Sequence, residues 1–177
     1  MAGAIKPDYV ASSAVTVTAL HSLAASSSFI AGWNGNSVTN TSNEYDDYLL
    51  GGTFTTHASN RQAGTIIVGV IGALSDGGGT PVWPTVASGT VGTEGALAFT
   101  AVEQMNAAVR VLYRIPCTNT ASQVYAFPMT SIAQLFGGKM PTHWAPFVTG
   151  NVATSTNAQL AAAGSAIYCT PILGQYT

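Results

Sequence analysis

Three acids and two tyrosines fall on consecutive positions: Glu44, Tyr45, Asp46, Asp47 and Tyr48. Clustered carboxylates are the raw material of a calcium site, which takes about six to eight oxygens, usually with several acids from one flexible loop. In an extended chain Asp46 and Asp47 point to opposite faces, so only one of them can join Glu44 and the ligand count falls short. The stretch reads as an acidic strand start, solvated or facing an interface, and neither metal nor other cofactor is expected. His21, His57 and His143 are the candidates for general-base work. None sits in a recognisable motif with Ser or Cys, there is no GxSxG elbow, and His143 beside Trp144 is expected to be packed or hydrogen-bonded. Ser75-Asp76-Gly77-Gly78-Gly79 has the glycine content of a phosphate loop without its lysine or following helix, and reads as a hairpin turn. Cys117 and Cys169 show neither CxxC nor Cys/His zinc spacing. Each lies in or beside an expected strand, where a free thiol behaves as a small apolar side chain; a bridge between them is the lesser alternative. Hydrolysis would need paired acids or a triad converging in one cleft, and ionisable groups are few, so the chain is read as a non-enzyme.

Residues suited to protein contact are better represented. Arg110 and Arg114 flank Leu112 on what reads as one strand face, either solvated or paired with carboxylates of a neighbouring subunit. Trp144 is assigned to the core. Trp83, between Pro81 and Pro84, is assigned as an anchor between subunits. The interface candidates are therefore Trp83, Arg110, Arg114, Tyr45 and Tyr48. A competing reading makes Tyr45, Tyr48 and Trp83 the walls of a shallow carbohydrate groove with neighbouring Asp and Asn.

Short strands must position these side chains. Residues 1–13 lack a clear period and read as an extended arm; residues 14–177 read as one domain. Residues 14–20 (AVTVTAL) alternate as a strand, and a second strand ends at Phe29-Ile30-Ala31-Gly32-Trp33. Residues 46–57 form a strand interrupted by Gly51-Gly52, which predicts a bulge or a close backbone approach. Residues 65–74 (TIIVGVIGAL) are apolar on both faces and β-branched, the pattern of a central strand. Residues 81–95 read as a long surface excursion, and 96–104 are ambiguous. Residues 108–117 and 123–130 form strands; 131–136 make one helical turn closed by Gly137-Gly138. In the strand from His143, Trp144, Pro146 and Val148 take one side, and His143, Ala145, Phe147 and Thr149 the other. Both sides carry apolar bulk, which suggests packing against something besides the chain itself. Pro146 and Pro171 predict sheet edges or bulges. The closing strand spans 165–173. About eight short strands and frequent Gly/Pro turns predict an all-β fold, an antiparallel β-sandwich of two sheets.

Charged residues are 7% of the 177, and hydrophobic residues 47%. A globular chain ordinarily carries about 25% charged residues, so this surface has little to hold neighbours apart and reads as that of a subunit in a large assembly. A secreted β-protein is the alternative. Five basic residues and a net charge of −2 offer no patch for phosphates, so no nucleic-acid partner is expected. The longest apolar run, 66–74, is far short of the roughly 20 residues of a membrane span, so no membrane partner is expected; no export signal is read at the N-terminus.

Two runs of residues carry a resemblance. The first is a glycine pair, Pro141-Thr142-His143-Trp144 leading a strand, an Asn/Thr turn and a last strand. The second is Ala31-Gly32-Trp33, Asn40-Thr41, Tyr45-Asp46-Asp47-Tyr48-Leu49, then an apolar strand and Ser75-Asp76-Gly77. Together they resemble small virion structural proteins of tailed bacteriophages, over most of residues 31–173. The resemblance implies a jelly-roll-like sandwich on the outer surface of the capsid, acting as a cement or decoration protein. Its partners would be the major capsid protein and copies of itself, as a trimer about a local symmetry axis. A tail-associated role is the alternative within the same group.

Overall fold

The computed structural model describes residues 5–42, 44–75, 79–153 and 158–176. Its strands in chain order are β1 (Ile5–Tyr9), β2 (Ser13–Ala14), β3 (Ala31–Asn34), β4 (Val38–Thr39), β5 (Asp47–Thr55), β6 (Gly64–Gly72), β7 (Gly95–Ala98), β8 (Val109–Cys117), β9 (Val124–Ser131), β10 (His143–Gly150) and β11 (Ala166–Tyr176). Among the described residues one helix, α1 (Val102–Ala108), begins in the ambiguous stretch and runs past it to the start of the 108–117 strand. Single 3-10 turns occur at Ala19–Ser22 and Ala133–Phe136. The second is the expected helical turn: Gly137 ends it at φ 72°. Among the described residues no helix is long and apolar enough to cross a membrane.

All pairings between strands are antiparallel and divide them into two sheets, β1-β11-β5-β9 with β2 on β11, and β7-β3-β10-β6-β8 with β4 on β10. Taking β1/β2 as one interrupted strand, β3/β4 as another, and setting β7 aside, eight remain. Their order is first-eighth-third-sixth in one sheet and second-seventh-fourth-fifth in the other, a jelly-roll winding.

Both interruptions fall opposite a proline. Pro146 sits in the middle of β10, paired with Val70 on one flank, so the expected edge position is wrong. On the other flank β3 pairs only with Phe147 and Val148, and β4 only with His143 and Trp144. A residue's N–H and C=O face the same neighbour in an antiparallel ladder, and the Pro146 carbonyl accepts the Gly35 N–H at 2.9 Å. The missing proline N–H is therefore directed into the gap between β3 and β4. Pro171 repeats the device: it pairs with Tyr48, and its carbonyl accepts the Val10 N–H at 3.0 Å between β1 and β2.

The main core lies between the sheets. Tyr48, Leu50 and Phe54 of β5, Phe127 of β9, and Ile167 and Cys169 of β11 meet Ile66, Val68 and Val70 of β6 and Trp144 and Val148 of β10. Tyr48 and Trp144 meet across the sheets edge-on at 5.3 Å. Trp144 is fully buried, as assigned.

A second cluster covers the outer face of the β10 sheet. Ile71, Val109, Ala145 and Phe147 pack there under Val91, Leu97, Phe99 and Met105, with Trp83 and Val86 against them. The apolar bulk on both faces of β10 is thus absorbed within the chain by the 81–108 segment. The expectation that this strand faces a foreign partner is corrected.

Other differences are local. In residues 14–20 only Ala14, with Ser13 before it, belongs to a ladder; the Val15 N–H still donates to the Ile167 carbonyl at 2.9 Å, and Val15 and Val17 pack against the core. Residues 5–9 are extended as expected, but they pair with β11 of their own chain rather than standing off it. The 75–80 turn is closed by Ser75 and Val82; residues 76–78 lie outside the described residues.

Of the two readings of Gly51-Gly52, β5 itself shows the close backbone approach; the bulge lies opposite, on β9, where Pro128 and Met129 stand against Gly51. The β5–β9 register shifts between Leu50 and Gly52. A Cβ on Gly52 would stand 2.1 Å from the Ala166 carbonyl oxygen, closer than any real contact.

Candidate functional site

The acidic-aromatic stretch is structural. Asn40 clamps its start: Oδ1 accepts the Tyr45 N–H at 2.9 Å and Nδ2 donates to the Tyr45 carbonyl at 2.9 Å. Asp47 Oδ1 accepts the N–H groups of Tyr48 at 2.7 Å and Ala133 at 2.8 Å, tying β5 to the 3-10 turn after β9. Asp46 Oδ2 accepts the Gly174 N–H at 2.5 Å. Two of the three acids thus satisfy backbone donors. Among the described residues no three His, Cys, Asp or Glu side chains converge as a metal would require.

Tyr48 is buried between the sheets, where loss of solvation pushes its phenol up to about 12. Tyr45 packs edge-on against it at 5.4 Å and borders an open groove of about 460 Å³ with Glu44, Lys139 and Thr142. Trp83 is elsewhere, half-buried on the second cluster with its ring over Gly92. The three aromatics proposed for a carbohydrate groove are therefore not brought together, and Trp83 serves its own chain's packing.

Arg110 and Arg114 are both exposed on β8, but they do not share a face. The β6–β8 register shifts between Val68 and Gly69, where Val68 opposes Tyr113 and Gly69 opposes Val111, leaving Leu112 as the extra residue of a bulge. Arg114 then lies opposite Ile67, on the outer side with Ile71, and Arg110 opposite Val70, on the inner side. One inserted residue reverses the alternation that placed them together.

His57 Nδ1 accepts the N–H groups of Ser59 and Asn60 and has the Ser59 hydroxyl at 3.3 Å, a local turn contact at the exposed surface, whereas His143 is buried in β10. Cys117 and Cys169 are free, buried thiols of the main core. Burial raises them to about 11 and about 12.

The surface that stands out was not singled out by any motif. It is the outer face of the β1-β11-β5-β9 sheet. Register places Tyr9 (β1), Ala166, Tyr168, Thr170 and Ile172 (β11), Leu49, Gly51 and Thr53 (β5), and Val124 and Ala126 (β9) on this side. Met129 crosses Gly51, whose Cβ would lie 2.9 Å from the Met129 sulfur. Among the described residues, four of the eight exposed large hydrophobics are here: Tyr9, Val124, Met129 and Tyr168. Apart from Asp47, whose carboxylate is held by two backbone amides, none of these positions is charged. The other sheet has its outer face covered by its own chain; among the described residues this one has no such covering segment, although Thr170 is buried and bonds the Ser12 hydroxyl at 2.6 Å.

The sheet edges, by contrast, are blunted against strand addition. β1 carries Lys6, Pro7 and Asp8; β8 carries Arg110, Arg114, Pro116 and a bulge; β9 carries Pro128 beside a bulge; β7 is four residues long. Charge, proline, bulges and short length are the usual defences of an edge. Edge-to-edge pairing is therefore disfavoured. The sequence signal that could have found this face is the Tyr168, Thr170, Ile172 alternation opposite Ile167 and Cys169, which has no charge on either side. No protein-family model, curated protein or solved structure matches the chain.

Proposed function

We propose that this chain is a structural subunit of a virion, a cement or decoration protein that binds and stabilises the capsid shell from outside. The observation that carries the reading is the uncovered, nearly uncharged outer face of the β1-β11-β5-β9 sheet on a jelly-roll whose edges are protected. A face of this kind leaves apolar side chains in water unless something covers them, and exposed apolar patches of this sort mark protein contacts. Few ionic groups suit flat, extensive contacts, and repeated docking at neighbouring shell positions adds modest affinities through effective concentration. The virion assignment itself rests on the resemblance of residues 31–173 to small phage structural proteins.

The test is co-sedimentation of the purified chain with empty head shells of the cognate major capsid protein. Saturable binding that raises the temperature at which shells fall apart is the expected result. No binding at tens of micromolar chain would reject the reading.

A further inference from the structure

We propose that the outer face of the β1-β11-β5-β9 sheet is closed by a second copy of this chain, two such sheets packing face to face about a two-fold axis near Tyr168 and Gly51. The inference rests on the functional reading and takes the occupant of that face to be another subunit of the same kind, so that a dimer would meet the shell through its remaining surface.

Charge favours a second copy over a different protein. About a two-fold axis each residue near the centre meets its own kind, so any ionic group there meets a like charge. Tyr168, Gly51, Thr53, Leu49, Met129 and Ile172 offer none. Lys6 and Asp8 of the neighbouring strand alternate with Tyr9, and Asp8 pairs with Leu173, so both take the side of the sheet away from Tyr168. A charged partner would find nothing here to complement.

Size favours it too. Strands of 5, 11, 9 and 8 residues, at about 3.4 Å per residue and about 4.8 Å apart, project roughly 540 Å², and side chains raise the accessible area further; a stable interface takes about 800 Å² from each partner. Shape is suitable because Gly51 carries no side chain and Met129 lies flat across it, leaving Tyr168 as the raised ring beside a shallow floor. A flexible thioether adapts to an opposing surface, and tyrosine is enriched where such surfaces meet. The edges cannot supply the same contact, for the reasons of proline, charge and bulge given above.

A two-fold face contact closes at two copies. It therefore departs from the trimer implied by the phage resemblance, and the two are separated by mass.

The experiment is sedimentation equilibrium of the full chain from about 1 to 100 µM, with Tyr168→Glu, Tyr168→Lys and, away from the face, Leu74→Lys. Wild type and Leu74→Lys should run at twice the 18.1 kDa chain mass. Either Tyr168 variant alone should raise the dimer Kd by about a hundredfold or more, because like charges meet at the axis. Mixing Tyr168→Glu with Tyr168→Lys should restore the dimer, which a folding defect could not do. A monomer throughout, a trimer, or a dimer indifferent to both Tyr168 variants would overturn the proposal. A monomer that still binds shells through Tyr168 overturns the pairing alone and leaves the coat function standing. A monomer that ignores shells removes both.

Discussion

Replacing Trp144 by alanine tests the central claim about the core. The indole is fully buried between the sheets and meets Tyr48 edge-on at 5.3 Å, so it joins the β10 sheet to the β5 sheet. Truncating a buried Trp to Ala costs about 3–5 kcal/mol, and the ring pair accounts for about 0.5–1.5 of it. One feature offsets part of the loss: Trp144 Nε1 has no hydrogen-bond partner, so removing it frees a buried donor otherwise left unsatisfied. Trp144→Phe keeps a ring without that donor and should cost clearly less than alanine. At about 2–4 °C per kcal/mol for a chain of this size, Trp144→Ala should melt roughly 6–20 °C below wild type. Thermal unfolding by circular dichroism, with urea titration for the free energy, reads both variants. An alanine variant within about 3 °C of wild type would refute the placement of Trp144 as the joint between the sheets.

Trp83→Ala should cost about 1–3 kcal/mol, less than Trp144→Ala, because the ring is half-buried on the second cluster; lost assembly with an unchanged melt would instead restore its role as an intersubunit anchor. Gly52→Ala should destabilise by about 1–3 kcal/mol or more, since its Cβ would meet the Ala166 carbonyl oxygen at 2.1 Å and β5 and β11 would have to separate; a neutral melt would contradict the strand pairing. The thiols make a pH prediction. Their folded values, about 11 and about 12, lie above the ordinary thiol value of 9.0, so the fold favours the protonated thiol. That stability is fully present below pH 9 and is lost as pH rises toward 11–12, because the unfolded chain releases protons the native chain keeps. The urea midpoint should fall over that range, less steeply in Cys117→Ala/Cys169→Ala, and neither thiol of the folded wild type should react with iodoacetamide at pH 8. Rapid labelling, or a pH slope unchanged by the double substitution, would show the cysteines to be accessible.

Much of the fold was legible in the sequence because alternation reports which side of a strand a residue takes. The 46–57, 65–74, 108–117, 123–130 and 143–150 strands appear close to their expected limits, as does the helical turn closed by Gly137. The burial of Trp144 and the close backbone approach at Gly52 were readable for the same local reasons. Alternation does not survive an inserted residue, and Leu112 is such an insertion; it separates Arg110 from Arg114 without leaving a mark in the composition of the strand. Nor does it say whether the neighbouring flank is continuous. Pro146 and Pro171 looked like edge residues, yet each faces a gap supplied by a distant segment, residues 35–37 in one case and 10–12 in the other.

By itself the sequence determined that the chain forms many short β-strands, carries little charge and places both cysteines among apolar neighbours, all properties of single residues and their spacing. Only the tertiary structure decided which apolar faces are covered. Phe147 and Val109 are closed over by the 81–108 segment, whereas Tyr168 and Met129 are left uncovered on the opposite sheet. The two outer faces have similar alternation, and what separates them is where a loop dozens of residues away comes to lie, a long-range contact to which no local pattern is sensitive.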